Sequence, residues 1–134
     1  ITIFKDGYHG DTSRTLLIGN KEQVNDDLHY NSASRLLEVS HNALLEGIKQ
    51  CKPGVSTLAI AEMIEAYVED LNGMQVIPDL VGHGIGTQFH ELPYIAHCTH
   101  TKNMNHVTLA ENMTFTIEPI IKLAGQGSKE IGLW

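Results

Sequence analysis

Apolar and polar positions alternate at the start of the chain, and Ile1-Thr2-Ile3-Phe4 reads as a strand. Lys5-Asp6-Gly7 follows, and Asp-Gly between apolar runs signals a hairpin turn. Tyr8 to Ile18 is therefore expected to return as a second strand, interrupted by Gly10 and ended by Gly19-Asn20. From about Lys21 to Gln50 the period changes to that of a helix, with Leu36, Leu37, Ser40, Leu44, Leu45 and Ile48 on one face. Pro53-Gly54 punctuates the chain, and Ser56 or Thr57 can cap a second helix. Its apolar series runs Ile60, Met63, Ile64, Tyr67, Val68, Leu71 and stops at Asn72-Gly73. The stripe of Met63, Tyr67 and Leu71 reads as core.

Gln75 to Leu80 is a short strand or extended piece. Residues 82–106 hold glycines, histidines and a proline with little period, which predicts a loop-rich region where function tends to sit. Thr114-Phe115-Thr116-Ile117-Glu118 alternates again, with Phe115 and Ile117 on one face and Thr114, Thr116 and Glu118 on the other. The order hairpin, helix, helix, glycine-histidine loop, strand predicts an α+β domain with helices packed on a largely antiparallel sheet. No repeat of fixed period interrupts it. Strand signal begins at the first residue, and a domain rarely starts in mid-strand, so the chain is expected to be part of something longer.

Composition narrows the possibilities. The 134 residues match one ordinary domain, and 42% apolar with 19% charged residues is a globular composition. A formal net charge of −7 disfavours nucleic-acid binding through phosphates, and no polybasic stretch suits an anionic membrane. No apolar run approaches the ~18 residues of a membrane span, and the first residues do not read as a charged-then-apolar leader. Cys51 and Cys98 make no disulfide framework, which favours a reducing compartment. Eight histidines against two cysteines point toward metal or proton chemistry.

Three segments carry candidate chemistry. Asp11, on the returning strand, is either a solvent-facing edge charge or a metal carboxylate beside a glycine that lets the backbone approach. If Lys5 to Gly7 make the turn, the position before Ile1 lies almost opposite Asp11, where a second carboxylate would complete a pair. In Gly82-His83-Gly84-Ile85-Gly86 the glycines clear bulk around one imidazole and allow unusual backbone angles. His90 follows with Glu91 and Pro93, so one histidine could bind metal while the other handles protons or holds substrate. Glu118 precedes Pro119 among Phe115, Ile117, Ile120 and Ile121, where an unpaired buried carboxylate would cost several kcal/mol that a metal would offset. Asp11, His83 and Glu118 form an oxygen-nitrogen ligand set that suits Mn, Co, Fe or Zn. Cys51 reads as helix-end packing and Cys98 as a loop thiol. His97, His100 and His106 could form a second metal site, and His29 and His41 read as surface residues.

These segments, Lys5-Asp6-Gly7-Tyr8-His9-Gly10-Asp11-Thr12-Ser13, Gly82 to Gly86 with Phe89-His90-Glu91 and Pro93, and Thr114 to Pro119, together resemble the type I methionine aminopeptidases. Lys52-Pro53-Gly54 fits as well. The resemblance implies a pita-bread fold, here incomplete at both ends, with residues 1–134 as a single partial catalytic domain. It implies two divalent metal ions (Co, Mn, Fe or Zn) and removal of the initiator methionine from nascent polypeptides by a metal-activated water. By resemblance Asp11 corresponds to the bridging aspartate, and His83 and Glu118 to metal ligands. His90 corresponds to the histidine contacting substrate and tetrahedral intermediate, Glu118 also to the proton carrier, and Phe89 to the wall of the methionine pocket. The family's remaining ligands would fall immediately before Ile1 and beyond Trp134, so the 134 residues alone are expected to show weak or no activity. The expected partner is the N-terminal methionine of new chains, with ribosome association as a further expectation and neither nucleic acid nor membrane. The expected location is cytoplasmic, with an organellar form open. The alternatives are a proline-specific peptidase relative and a non-catalytic pita-bread binding module, which typically loses ligands; here every ligand position that the chain covers is filled.

Overall fold

A computed structural model describes residues 1–19 and 27–125. It contains a hairpin of β1 (Thr2–Lys5) and β2 (Tyr8–Asp11), helices α1 (Asp27–Lys49) and α2 (Leu58–Glu65), and strands β3 (Met74–Val76), β4 (Gly82–Gly84), β5 (Glu91–Ile95) and β6 (Ile121–Leu123). The expected ends at Asn20 and Lys21 and the stretch near Trp134 lie outside the described residues. Among the described residues the strands form three antiparallel pairs, β1-β2, β3-β6 and β4-β5, so the architecture is α+β. No helix among them is long and apolar enough to cross a membrane.

The hairpin turn holds two residues, not the three of Lys5 to Gly7. Asp6 and Gly7 both take positive φ, +53° and +89°, the conformation that matches a two-residue turn to the twist of its strands. The register becomes Lys5 with Tyr8, Phe4 with His9 and Thr2 with Asp11. Thr2, rather than the position before Ile1, therefore faces Asp11. β2 ends at Asp11, well short of Ile18, and beyond it Leu16 and Ile18 are exposed.

The two helices meet through small residues, which corrects the face expected for α1. Val39, Ala43 and Gly47 are the buried positions, while Leu45 and Ile48 from the leucine-rich stripe are exposed. A Cβ on Gly47 would stand 2.8 Å from Ile64 Cδ1, so the absence of a side chain there leaves room for the Ile64 terminal methyl. The second helix also departs from its expected stripe. After α2 a π-helical turn, Ala66–Asp70, closes with Leu71 N–H donating to Ala66 O. The extra residue shifts the phase of everything after it. Ile60, Ala61, Ile64 and Val68 are fully buried, whereas Met63 is exposed at 37% and Leu71 at 74%. Gly73 then ends the element with positive φ, its N–H donating to Glu69 O. Val39, Ala43, Ile60, Ile64 and Val68 join Met74, Val76, Ile95, Leu109 and Ile121 in one core.

The segment expected to be a loop, residues 82–106, contains β4 and β5. The strand expected at Thr114 to Glu118 is instead an extended segment held to β4, with the ordered strand β6 beyond Pro119. Its faces are as the alternation implies, Phe115 and Ile117 packing on the core.

Ile64→Ala is expected to destabilise the protein by about 2–5 kcal/mol, and Leu71→Ala by less than about 0.5 kcal/mol. Urea unfolding of the two variants checks this; equal effects would place the core on the wrong stripe.

Candidate metal centre

The site begins with the glycines on either side of His83. Neither has a positive φ, so they do not serve unusual backbone angles. They serve close approach: a Cβ on Gly82 would stand 2.2 Å from Thr116 O, and one on Gly84 2.5 Å from Leu92 O. β4 is thus pressed between residues 114–116 and β5. Thr116 N–H donates to His83 O at 2.8 Å, and Ile85 N–H to Thr114 O at 3.2 Å. This pairing carries His83 and Glu118 to the same place.

His83 is buried. Its Nδ1 lies 2.9 Å from Gly84 O, and since a carbonyl only accepts, Nδ1 carries the proton. In the neutral ring Nε2 then presents a lone pair, and it faces Glu118 Oε1 at 3.5 Å. Two acceptors aimed at one another repel unless a proton or cation stands between them. An imidazole anchored through Nδ1–H to a carbonyl, with Nε2 toward a carboxylate, is the arrangement of a metal-ligating histidine. These two residues fit a divalent cation.

Glu118 is less buried than its apolar neighbours imply. Its side chain is 39% exposed, so an unpaired-carboxylate penalty does not govern it. The Thr116 hydroxyl donates to Glu118 Oε1 at 2.7 Å and accepts from His83 N–H at 2.9 Å, touching both residues at once. Thr116 was not singled out from the sequence, although its place on the Glu118 face of the alternating segment was the available signal.

The β4–β5 connection presents Phe89 and His90. His90 is exposed, its ring edge-on to His83 at 4.3 Å and to Phe89 at 4.5 Å between centroids. The Glu91 carboxylate ties the connection down: Gln88 N–H donates to it at 2.6 Å and the Thr87 hydroxyl at 3.3 Å. Phe89 also meets His9, centroids 5.8 Å apart, and His9 N–H donates to Gly86 O at 2.8 Å. That bond joins the hairpin bearing Asp11 to the loop bearing His90.

Asp11 stands apart from the pair. It is half-buried, and its Oδ1 accepts from the Thr2 hydroxyl at 3.3 Å. Among the described residues no three of His, Cys, Asp and Glu are grouped closely enough to hold one ion. Asp11 and Glu118 nevertheless line the same open groove of ≈ 1650 Å³ between the hairpin, α1 and residues 109–121.

The other histidines and the cysteines sort by burial. His97 is 1% exposed and uses both ring nitrogens, on Leu80 O at 3.3 Å and Glu118 N–H at 3.1 Å, so it has no lone pair for a second metal site. His100 Nδ1 lies 3.7 Å from Glu65 Oε1, while His106 is simply exposed. Cys98 is buried, and burial pushes its thiol pKa up, which leaves it inert. Cys51 Sγ donates to Gly47 O at the end of α1. His29 and His41 lie on the exposed side of α1.

A profile of metallopeptidase family M24 matches residues 1–132. The chain is 38% identical over 131 residues to a methionine aminopeptidase of Buchnera aphidicola subsp. Schizaphis graminum, covering 98% of the chain and 44% of that relative. It is 40% identical over 130 residues to a Mus musculus protein named methionine aminopeptidase 1D, mitochondrial, covering 97% of the chain and 34% of that relative. The crystal structure of a methionine aminopeptidase from Rickettsia prowazekii matches with a TM-score of 0.74 and 36% identity, covering 90% of this chain and 44% of that one. The fold is the pita-bread fold. The chain spans less than half the length of these relatives.

Gly82→Ala is expected to force β4 away from Thr116 at a cost of roughly 1–3 kcal/mol. Hydrogen exchange at the Thr116 amide should then accelerate by about tenfold or more; an unchanged rate would contradict the close approach. A second expectation concerns pH. Burial holds the His97 pKa down from 6.5 to about 4, against the pull of the Leu80 carbonyl. The unfolded chain therefore takes up this proton before the folded one, and stability is lost as the pH falls from about 6.5 to about 4. The loss should approach about 3 kcal/mol in urea titrations of the metal-free protein, and His97→Gln should remove that component.

Proposed function

The chain belongs to metallopeptidase family M24, and we propose that the protein carrying it is a type I methionine aminopeptidase that hydrolyses the bond after an N-terminal methionine. The observation that carries this reading is His83 Nε2 facing Glu118 Oε1 at 3.5 Å, with the other ring nitrogen tied to Gly84 O. The identity to relatives named methionine aminopeptidase, 38% and 40%, supports the choice of substrate. Residues 1–134 form one part of the catalytic domain in this reading.

The family implies divalent metal ions. We assign two of them, of Co, Mn, Fe or Zn, to a site that includes His83 Nε2, the Glu118 carboxylate and, from the hairpin, Asp11. Such ions supply polarisation of the scissile carbonyl and a water of lowered pKa. The chain's own residues do the rest. Phe89 offers a half-buried ring to the methionine side chain, where sulfur-aromatic contact is favourable. The exposed ring of His90, packed edge-on against Phe89, donates a hydrogen bond to the carbonyl oxygen as negative charge builds there. Thr116 occupies Glu118 Oε1, which leaves Oε2 to take a proton and pass it to the departing amine. Two free cysteines favour a reducing location such as the cytoplasm.

In the full-length protein, His83→Ala is expected to abolish metal uptake by calorimetry and release of methionine from a Met-Ala-Ser peptide. His90→Ala should keep metal uptake and lower kcat by about 10²–10³-fold. Metal uptake and turnover unchanged in His83→Ala would overturn the reading.

A further inference from the structure

His97 is fully buried and belongs to neither the ligands nor the substrate wall. Its partners fix its chemistry by themselves. Leu80 O, 3.3 Å from Nδ1, can only accept, and Glu118 N–H, 3.1 Å from Nε2, can only donate. One neutral tautomer, protonated at Nδ1, satisfies both.

The ring also interrupts a ladder. Gly84 bridges Phe115, and Thr116 N–H donates to His83 O. Continued in this antiparallel register, the next rung would take Glu118 N–H to Val81 O. Instead Glu118 N–H goes to the imidazole, and the imidazole in turn reaches the carbonyl of Leu80. The two segments are thus joined through a side chain, at the residue whose carboxylate meets His83. A direct rung would set the Glu118 backbone against β4, whereas the ring holds it a side chain's width away. Thr116 then fixes the carboxylate from the other end, through its 2.7 Å bond to Oε1.

We propose that His97 is a positioning residue: wedged between Leu80 O and Glu118 N–H, its imidazole sets where the Glu118 carboxylate stands relative to His83. This rests on the assignment of His83 and Glu118 as metal ligands. It acts through hydrogen-bond geometry, so the requirement is an acceptor at the reach of Nε2, not an imidazole as such. Glutamine places its amide at that reach. Asparagine places one near Nδ1 and keeps the Leu80 bond but falls short of Glu118.

The test uses the full-length protein loaded with cobalt(II) chloride and reads affinity by calorimetry and ligand geometry by visible absorption. His97→Asn should bind cobalt about 10–100-fold more weakly, with an altered absorption spectrum. His97→Gln should recover most of the affinity and the original spectrum. Thermal unfolding of the metal-free variants establishes that both are folded. Wild-type affinity and spectrum in His97→Asn, or equal loss in the two variants, would overturn the proposal. Cobalt binding by the unaltered protein that does not respond to His83→Ala would instead sink the ligand assignment beneath it.

Discussion

The structure turns on how closely two backbones approach. At Gly82 the carbonyl of Thr116 occupies the space of a Cβ, and at Gly84 the carbonyl of Leu92 does the same. Only glycine permits this on both sides, and His83 is the side chain left between them. Its ring is buried, its Nδ1 is spent on Gly84 O, and its remaining nitrogen points at Glu118. A residue pair of this kind, separated by 35 positions in sequence, is brought together by main-chain pairing and then tuned by side chains.

Three further contacts make that pairing specific. Thr116 bonds to the His83 backbone and to the Glu118 carboxylate, so displacing either strains the other. His97 meets the Glu118 backbone from the core. Glu91 holds residues 87 and 88, which aims Phe89 and His90 at the same imidazole. Held groups of this sort cost no reorganisation when charge develops, which is how a fixed site outperforms water. The hairpin joins the site through His9 and Gly86 and brings Asp11 to the groove that Glu118 lines.

Much of this was legible in the residues before any coordinates. The Asp-Gly turn, the two helices, the alternation at Thr114 to Glu118 and the α+β class follow from period and turn chemistry, and the motif resemblance pointed to the family and its fold. Other features carry no periodic signal. Val39, Ala43 and Gly47 form the buried face of α1 although a leucine-rich stripe competes with them, because closeness to Ile64 rewards absence of bulk. The π-helical turn breaks the phase that placed Leu71 in the core, while Met63, ahead of that turn, sits on the exposed side of α2. Glu118 was expected to be buried from its neighbours, yet it lies at the rim of an open groove. The hairpin register moved by shortening the turn to Asp6-Gly7. The glycines were noticed for conformational freedom, whereas what they provide is room.

The central claim is that the packing of β4 against residues 114–118 builds a divalent-cation pair from His83 and Glu118. The most direct measurement is anomalous diffraction at the zinc edge from crystals of the full-length protein soaked in zinc. The account predicts a peak about 2.0–2.2 Å from both His83 Nε2 and a Glu118 oxygen. A principal peak at His100 and Glu65, with His83 turned away from Glu118, would contradict it.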